Sequence, residues 1–216
     1  MAFWSKLWNR GKIETSQQLA TFLAAEADEL TQRTIVFYTQ AAVGRDWRRL
    51  IGTEEFREAM HRSRWESYPA ILGDLVCIVE SCLRATGPAD ANARAELFSH
   101  LYAAALAVRP IPAERLPDAR IAIDRFPAEL GRRLLAEPQR SDRIALSGGT
   151  FLFDHLPIHE SARETHKLPV VNAVRFAMVG FRDKLERRMG DGAEILQQIS
   201  IDVVGVRDQP TAPLAG

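Results

Sequence analysis

The sequence predicts an all-α protein folded as a single-domain helical bundle. Apolar residues recur at spacings of three and four along most of the chain, which is the periodicity of one face of an α-helix. Proline, glycine and N-capping residues divide these stretches into segments of helical length. The 216 residues, 46% of them apolar, are enough for one domain with a substantial core. We expect an amphipathic segment at 1–14, the bundle at 15–205 and a flexible tail at 206–216.

The first twelve residues, MAFWSKLWNRGK, predict a short amphipathic helix. One face would carry aromatic and apolar side chains and the other basic ones, as in helices that lie in a membrane interface. Each basic residue near an anionic surface adds about 1 kcal/mol to binding. The candidate contact residues are Phe3, Trp4, Lys6, Leu7, Trp8 and Arg10. Docking on the domain's own core and packing against a partner protein are the alternatives, and the stretch also resembles an organelle-targeting segment.

A long helix is expected over residues 16–43, because Thr15 and Gln18 form a capping-box pattern before an apolar repeat. Gly44 would end it. A basic connection over residues 45–49 follows and carries Trp47; it is interpreted either as a solvated loop or as a site for an anion or lipid headgroup.

The most apolar stretch, PAILGDLVCIVESCLR at residues 69–84, predicts a helix in the middle of the bundle. A helix over 54–68 should precede it, with Thr53 as N-cap. Proline disfavours helical geometry in the residue before it, so we expect a kink or break at Pro69. A helix over 90–108 follows a Gly-Pro stop.

One carboxylate, Asp74, lies inside this apolar stretch. An unpaired charge buried there would cost several kcal/mol, so Asp74 must reach solvent, find a basic partner or be protonated. The only cysteines, Cys77 and Cys82, lie in the same stretch and are interpreted as buried reduced thiols. We therefore expect a cytoplasmic protein, associated peripherally with the inner face of the membrane if its first residues bind lipid.

The second half of the chain is predicted to be more broken. Prolines divide residues 109–150 into short helices, and residues 141–150, which contain Ser147-Gly148-Gly149, should form a flexible loop. A second pair of helices, 158–167 and 170–189, should be separated by Pro169. Residues 193–204 could form a helix or a strand.

Chemistry-bearing patterns are weak. The 28 basic and 28 acidic residues cancel, so charge favours no nucleic acid partner. His155, His159 and His166 are weak metal-ligand candidates, because Pro157 disfavours a helix that would put the first two on one face. The sequence lacks a nucleophile elbow, a P-loop and a Gly-rich dinucleotide motif, so no catalytic residue and no cofactor is predicted.

Several motifs together resemble a family of small, mostly helical, uncharacterised bacterial proteins that are sometimes labelled "esterase". They are residues 31–38 (TQRTIVFY), Gly44-Arg45, residues 72–75 (LGDL) and residues 172–176 (NAVRF), within a likeness that spans residues 19–189. The resemblance implies an all-helical cytosolic protein with a basic, aromatic N-terminus. No hydrolase nucleophile motif can be matched, so the label carries over no catalytic residue.

The motifs that carry the resemblance include polar residues on otherwise apolar helices, namely Gln32, Arg45, Asp74, Asn172 and Arg175. We expect them to meet inside the bundle, either as a buried hydrogen-bonded network or around a pocket, with Asp74 paired to Arg175.

The leading functional hypothesis is a non-catalytic helical adaptor or scaffold that docks reversibly on an anionic membrane surface or a membrane complex through residues 2–10. The alternative is a hydrolase or a small-ligand or metal-binding protein with a pocket near Asp74, Arg175 and residues 155–166. A homodimer formed through the N-terminal helix is a third hypothesis.

Overall fold

The protein is all α-helical in the part of the chain that its computed structural model describes, residues 11–144 and 146–207. No β-strand occurs within these ranges; Ile13 and Met189 form an isolated bridge. The predicted all-α class is therefore confirmed. In chain order the helices are α1 (Ser16–Val43), α2 (Trp47–Leu50), α3 (Glu54–Leu83), α4 (Ala91–Val108), α5 (Leu116–Leu134), α6 (Ser141–Ile144), α7 (Leu146–Asp154), α8 (Glu160–Arg188) and α9 (Gly192–Arg207).

Helix α3 is the centre of the bundle, as its apolar sequence predicts. It packs against α1, α4, α5, α7 and α8. Of the kink or break expected at Pro69, the break is wrong, because α3 runs without interruption from Glu54 to Leu83. Trp65 and Tyr68 before the proline are buried, as are Ile71 and Leu72 after it. Packing on both sides of Pro69 therefore outweighs the backbone hydrogen bond that proline removes.

The same correction applies to α8, which continues from Glu160 to Arg188 through Pro169. The hydroxyl of Tyr38 on α1 donates a hydrogen bond to the Pro169 carbonyl oxygen at 3.0 Å. The inner face of α8 matches the predicted periodicity, and its buried residues include Val170, Val174, Met178, Phe181 and Leu185.

Residues 109–150 are more regular than expected. A single helix, α5, crosses Pro127, with Ala119, Ala122, Phe126, Leu130 and Leu134 buried along one face. The predicted flexible loop at 141–150 is also wrong, because α6 and α7 occupy most of it. Glycine allows α7 to approach the bundle closely: a Cβ on Gly149 would lie 3.3 Å from Val174 Cβ. Residues 193–204, left open between helix and strand, belong to α9.

The helix starts follow their capping residues. The Thr15 hydroxyl accepts from the Gln18 N–H at 3.1 Å, and the Asp90 carboxylate accepts from the Ala93 N–H at 2.8 Å. Gly44 ends α1 with a φ of 56°, a conformation that glycine adopts without strain.

The bundle begins before α1. Ile13 is 1% exposed, and its N–H donates to the Arg188 carbonyl at 2.7 Å. The Gly190 N–H donates in turn to the Ile13 carbonyl at 2.9 Å. Ile13 therefore belongs to the bundle, although the predicted boundary placed it in the N-terminal segment. At the other end, α9 extends to Arg207, two residues past the predicted end of the bundle at 205, and the rest of the predicted tail lies outside the described residues.

Candidate functional site

Asp74 is the most unusual side chain of the core. It is 1% exposed, in the middle of α3, and is surrounded by apolar residues of the same helix. The Gly148 N–H near the start of α7 donates to its Oδ2 atom at 2.8 Å. Arg133 Nη2 on α5 donates to its Oδ1 atom at 3.4 Å. Three helices therefore meet at one buried carboxyl group.

The predicted pairing of Asp74 with an arginine is right in kind, but the partner is Arg133 and not Arg175. The Arg133 side chain is 16% exposed and also donates to the Ile144 carbonyl at 3.2 Å. Arg175 instead donates to the Asn172 side chain, one turn away on α8, at 3.3 Å. Arg133 reaches Asp74 because α5 is one long helix that lies along α3.

Burial raises the pKa of Asp74 from its ordinary value to about 8, because the site lacks the water that would solvate a carboxylate. The Arg133 guanidinium lowers this pKa, Glu129 raises it, and the Gly148 N–H lowers it. Desolvation is the largest effect, so a substantial share of Asp74 is protonated at neutral pH. One turn along α3, burial also raises the pKa of the Cys77 thiol, which therefore stays protonated. Cys82 is only partly buried, which corrects the expectation of two buried thiols.

Gly148 makes this contact possible. A Cβ atom at this position would lie 2.4 Å from Asp74 Oδ2 and 3.2 Å from Ile71 Cδ1. Only a residue without a side chain lets the backbone N–H approach the carboxyl group so closely. The Ser-Gly-Gly sequence is therefore a packing requirement at this position, where the sequence analysis proposed a flexible loop.

A second polar pair lies beside Asp74. The Ser147 hydroxyl donates a hydrogen bond to the Glu129 carboxylate, which joins α7 to α5. Both residues line a surface pocket of about 390 Å³, together with Arg132, Arg133, Gln139 and Arg143. The pocket is open to solvent, and Arg133, which lines it, also contacts Asp74.

Arg133, Glu129 and Ser147 were not among the predicted site residues. A signal was present: Ala119, Ala122, Phe126, Leu130 and Leu134 recur at spacings of three and four across Pro127. Glu129 and Arg133 are also four residues apart, so they lie on one side of that helix. Treating Pro127 as a helix end hid both patterns.

The predicted buried network is not formed. Gln32, Arg45 and Asn172 are exposed, and Arg175 is half-buried. Of the five residues proposed for it, Asp74 alone is buried. The reason is geometric: Gln32 and Asn172 are on exposed sides of their helices, Arg45 lies beyond the end of α1, and Arg175 bonds to Asn172 on its own helix.

A separate buried ion pair lies between α1 and α3. Asp28 is 7% exposed, and its carboxylate contacts Arg64 Nη2 at 2.5 Å and Arg109 Nη2 at 2.7 Å. This triad connects α1 with α3 and with the end of α4.

The three candidate metal-ligand histidines have separate local partners. The Nδ1 atom of His155 bonds to the Phe151 carbonyl at 2.7 Å, and that of His166 bonds to the Ala162 carbonyl at 2.8 Å. His159 caps α8 by accepting from the Ser161 N–H at 3.2 Å. Within residues 11–144 and 146–207, no three His, Cys, Asp or Glu side chains are grouped as a metal site.

The candidate membrane-contact residues Phe3, Trp4, Lys6, Leu7, Trp8 and Arg10 lie outside the described residues. No helix in the described part of the chain combines the length and apolarity needed to cross a bilayer.

Comparison with known proteins adds no family assignment. No protein-family model, curated protein or solved structure shows a significant match to this chain. Functional inference therefore rests on the residues and their geometry.

Proposed function

We propose that this protein is a non-catalytic helical adaptor that docks reversibly on an anionic membrane surface or a membrane complex through residues 2–10. The observation that carries the proposal is the attachment of the chain immediately after those residues. The Gly11 carbonyl accepts from Arg188 Nε at 3.0 Å, and Ile13 is buried against the end of α8. The amphipathic segment is therefore joined to the bundle at a defined point, the C-terminal end of α8.

The outward face of α8 supports the proposal. Leu168 and Phe176 are 71% and 79% exposed, and Val179 is 40% exposed. Phe37 on α1, which packs beside α8, is 62% exposed. Val179 is nine residues from Arg188, a distance of about 14 Å along the helix. The exposed apolar side chains of α8 therefore start about 14 Å from the point where residues 2–10 join the bundle. They would extend the docking surface that those residues form.

Basic residues in the segment supply the electrostatic part of the binding. Lys6 and Arg10 would each contribute about 1 kcal/mol near an anionic surface. Replacing both by glutamine should weaken vesicle binding about 30-fold at low salt. The aromatic residues supply the apolar part, so the double variant Trp4→Ala/Trp8→Ala should weaken binding to anionic and neutral vesicles alike.

Flotation with liposomes tests the proposal. The full chain is compared with a variant that lacks residues 2–10, using vesicles of phosphatidylcholine alone or mixed equally with phosphatidylglycerol. The deletion stops before Gly11, so the contacts of Gly11 and Ile13 with α8 are kept. We expect the full chain to float with the mixed vesicles and the deletion variant to stay behind.

Other outcomes of these binding experiments would change the proposal. Equal flotation of both proteins, or of neither, removes direct lipid binding through residues 2–10 from the proposal. If neither protein floats with lipid vesicles, native membranes provide a second assay. The docking partner is a membrane complex if untreated membranes retain the full chain and membranes stripped of their proteins do not. A fall in molar mass by half on deletion, measured by light scattering, assigns the segment to a homodimer interface instead.

A further inference from the structure

The surface pocket next to Asp74 is rich in arginine. It lies between α5 and the segment of α6 and α7, with Arg132 and Arg133 on one side and Arg143 on the other. Glu129 is the only carboxylate among its lining residues in the described chain. Three guanidinium groups against one carboxylate leave an excess of positive charge at the pocket wall.

Arg133 forms the fixed part of the pocket. Its backbone carbonyl accepts from Arg84 Nη2 at 3.0 Å, and its own Nη2 donates to Asp74 and to the Ile144 carbonyl. Its contact with Gln139 is long, at 3.5 Å between Nη1 and Oε1. Its Nε has no partner among the described residues. A mostly buried arginine that lines a pocket and is held by several contacts is preorganised to bind an anion.

The other two arginines are only loosely engaged. Arg132 lies 3.9 Å from Glu129 and donates a long hydrogen bond from Nε to the Ala128 carbonyl at 3.4 Å, and its side chain is 76% exposed. The Arg143 guanidinium makes no hydrogen bond or ion pair with the described residues, although it lines the pocket. Both could turn toward a ligand without breaking a strong contact in the protein.

Glu129 and Ser147 add a hydrogen-bond acceptor to the lining of this otherwise basic pocket. The serine hydroxyl holds the carboxylate in place, which leaves the other carboxylate lone pairs as hydrogen-bond acceptors. An inorganic anion would use only the arginines. The pocket volume of about 390 Å³ is in the range of small-molecule sites and exceeds what a single ion fills. An organic phosphate with a hydroxyl or ammonium group would satisfy both the arginines and Glu129.

We propose that this pocket binds a phosphate monoester whose organic part carries a hydrogen-bond donor, with Arg133 as the buried anchor and with Arg132 and Arg143 closing on the phosphate. The same chemistry occurs in a free metabolite and in the headgroup of lysophosphatidate, which keeps one free glycerol hydroxyl beside its phosphate monoester. The inference does not depend on residues 2–10, and its test separates the two sources.

Calorimetric titration of the full chain with glycerol 3-phosphate tests the free-ligand form. The variant Arg143→Gln should weaken binding at least tenfold, because a charge-assisted hydrogen bond is lost. Arg140→Gln is the matched control: Arg140 is 82% exposed, lies three residues away and does not line the pocket. It should leave the affinity unchanged. Both substituted side chains are exposed, so neither variant should affect folding.

Flotation with vesicles of phosphatidylcholine and lysophosphatidate tests the lipid form. If Arg143→Gln reduces retention on these vesicles but not on phosphatidylglycerol vesicles, the lipid headgroup is the ligand. Retention through residues 2–10 is unaffected by this substitution, so failure of this proposal is distinguishable from failure of the adaptor proposal.

Three results would overturn the inference: no binding of either ligand, an equal loss in the Arg140→Gln control, or equal affinity for the carboxylate analogue glycerate. The second would show that general positive charge, and not this pocket, attracts the ligand.

Discussion

Replacing Gly148 by alanine is the most direct test of how the core is assembled around Asp74. The added Cβ would lie 2.4 Å from Asp74 Oδ2 and 3.1 Å from its Cγ, well inside van der Waals contact. The carboxyl group belongs to the central helix and is 1% exposed, so it has no solvent-filled space into which it can move. Either Asp74 shifts toward Arg133 or α7 moves away from α3, and in both cases the hydrogen bond from the Gly148 N–H is lost.

The expected cost combines opposing effects. Alanine in a helix interior is favoured over glycine by about 1 kcal/mol. A lost hydrogen bond to a buried charged or partly charged group costs about 1.5–3 kcal/mol. Overpacking a well-filled core costs about 1–3 kcal/mol. We therefore expect Gly148→Ala to lower the free energy of unfolding by about 2–5 kcal/mol, and each kcal/mol should lower Tm by about 2–4 °C in a chain of this length.

Urea denaturation followed by circular dichroism measures the change, with Gly180→Ala as the matched control. Gly180 is in α8, and a Cβ there would meet nothing within 4 Å. This control should therefore be as stable as the parent or more stable by up to about 1 kcal/mol. If Gly148→Ala behaves like Gly180→Ala, the close approach of α7 to Asp74 does not exist and the account of the site is refuted.

Two further predictions concern charges in the core. Because the folded state holds the Asp74 pKa at about 8, above the ordinary value in the unfolded chain, the folded protein binds more protons between the two. The stabilising contribution is complete below about pH 4 and is lost as pH rises toward 8, by up to about 1.4 kcal/mol per pH unit. Urea midpoints across this range should show the decline, and Asp74→Asn should remove it; an unchanged slope in the variant would contradict the assignment. Separately, Arg64→Leu leaves the buried Asp28 with one ion pair instead of two, and a thermal melt should show a loss of about 1–3 kcal/mol, whereas no change would mean that the triad contributes nothing to stability.

Helix positions were predictable where a capping residue and an uninterrupted apolar repeat coincide. The start of α1 after Thr15 and the stop at Gly44 follow from local chemistry, since a hydroxyl cap and a positive φ are properties of a few neighbouring residues. The inner face of α8 was predictable for the same reason, because periodicity alone decides which side of a helix is apolar.

The prolines were the main source of error. Local preference predicts a break before each of Pro69, Pro127 and Pro169, yet α3, α5 and α8 continue through them. A proline costs roughly 3 kcal/mol within a helix. Burying several large apolar side chains on each side of it contributes more, at about 1.5–3 kcal/mol for each. That comparison requires knowing what packs against the helix, which the local sequence does not contain.

The candidate site shows the same distinction between what the local sequence determines and what the tertiary structure determines. The sequence alone was sufficient to establish that Asp74 lies within an apolar helix and needs a partner, because the cost of an unpaired buried charge is independent of the fold. Which arginine satisfies it was decided by tertiary structure: α5 brings Arg133 alongside, and α7 brings the Gly148 N–H, from 59 and 74 residues away along the chain. Periodicity and capping are short-range properties written in consecutive residues, whereas the choice of partner depends on how helices distant in sequence lie against one another.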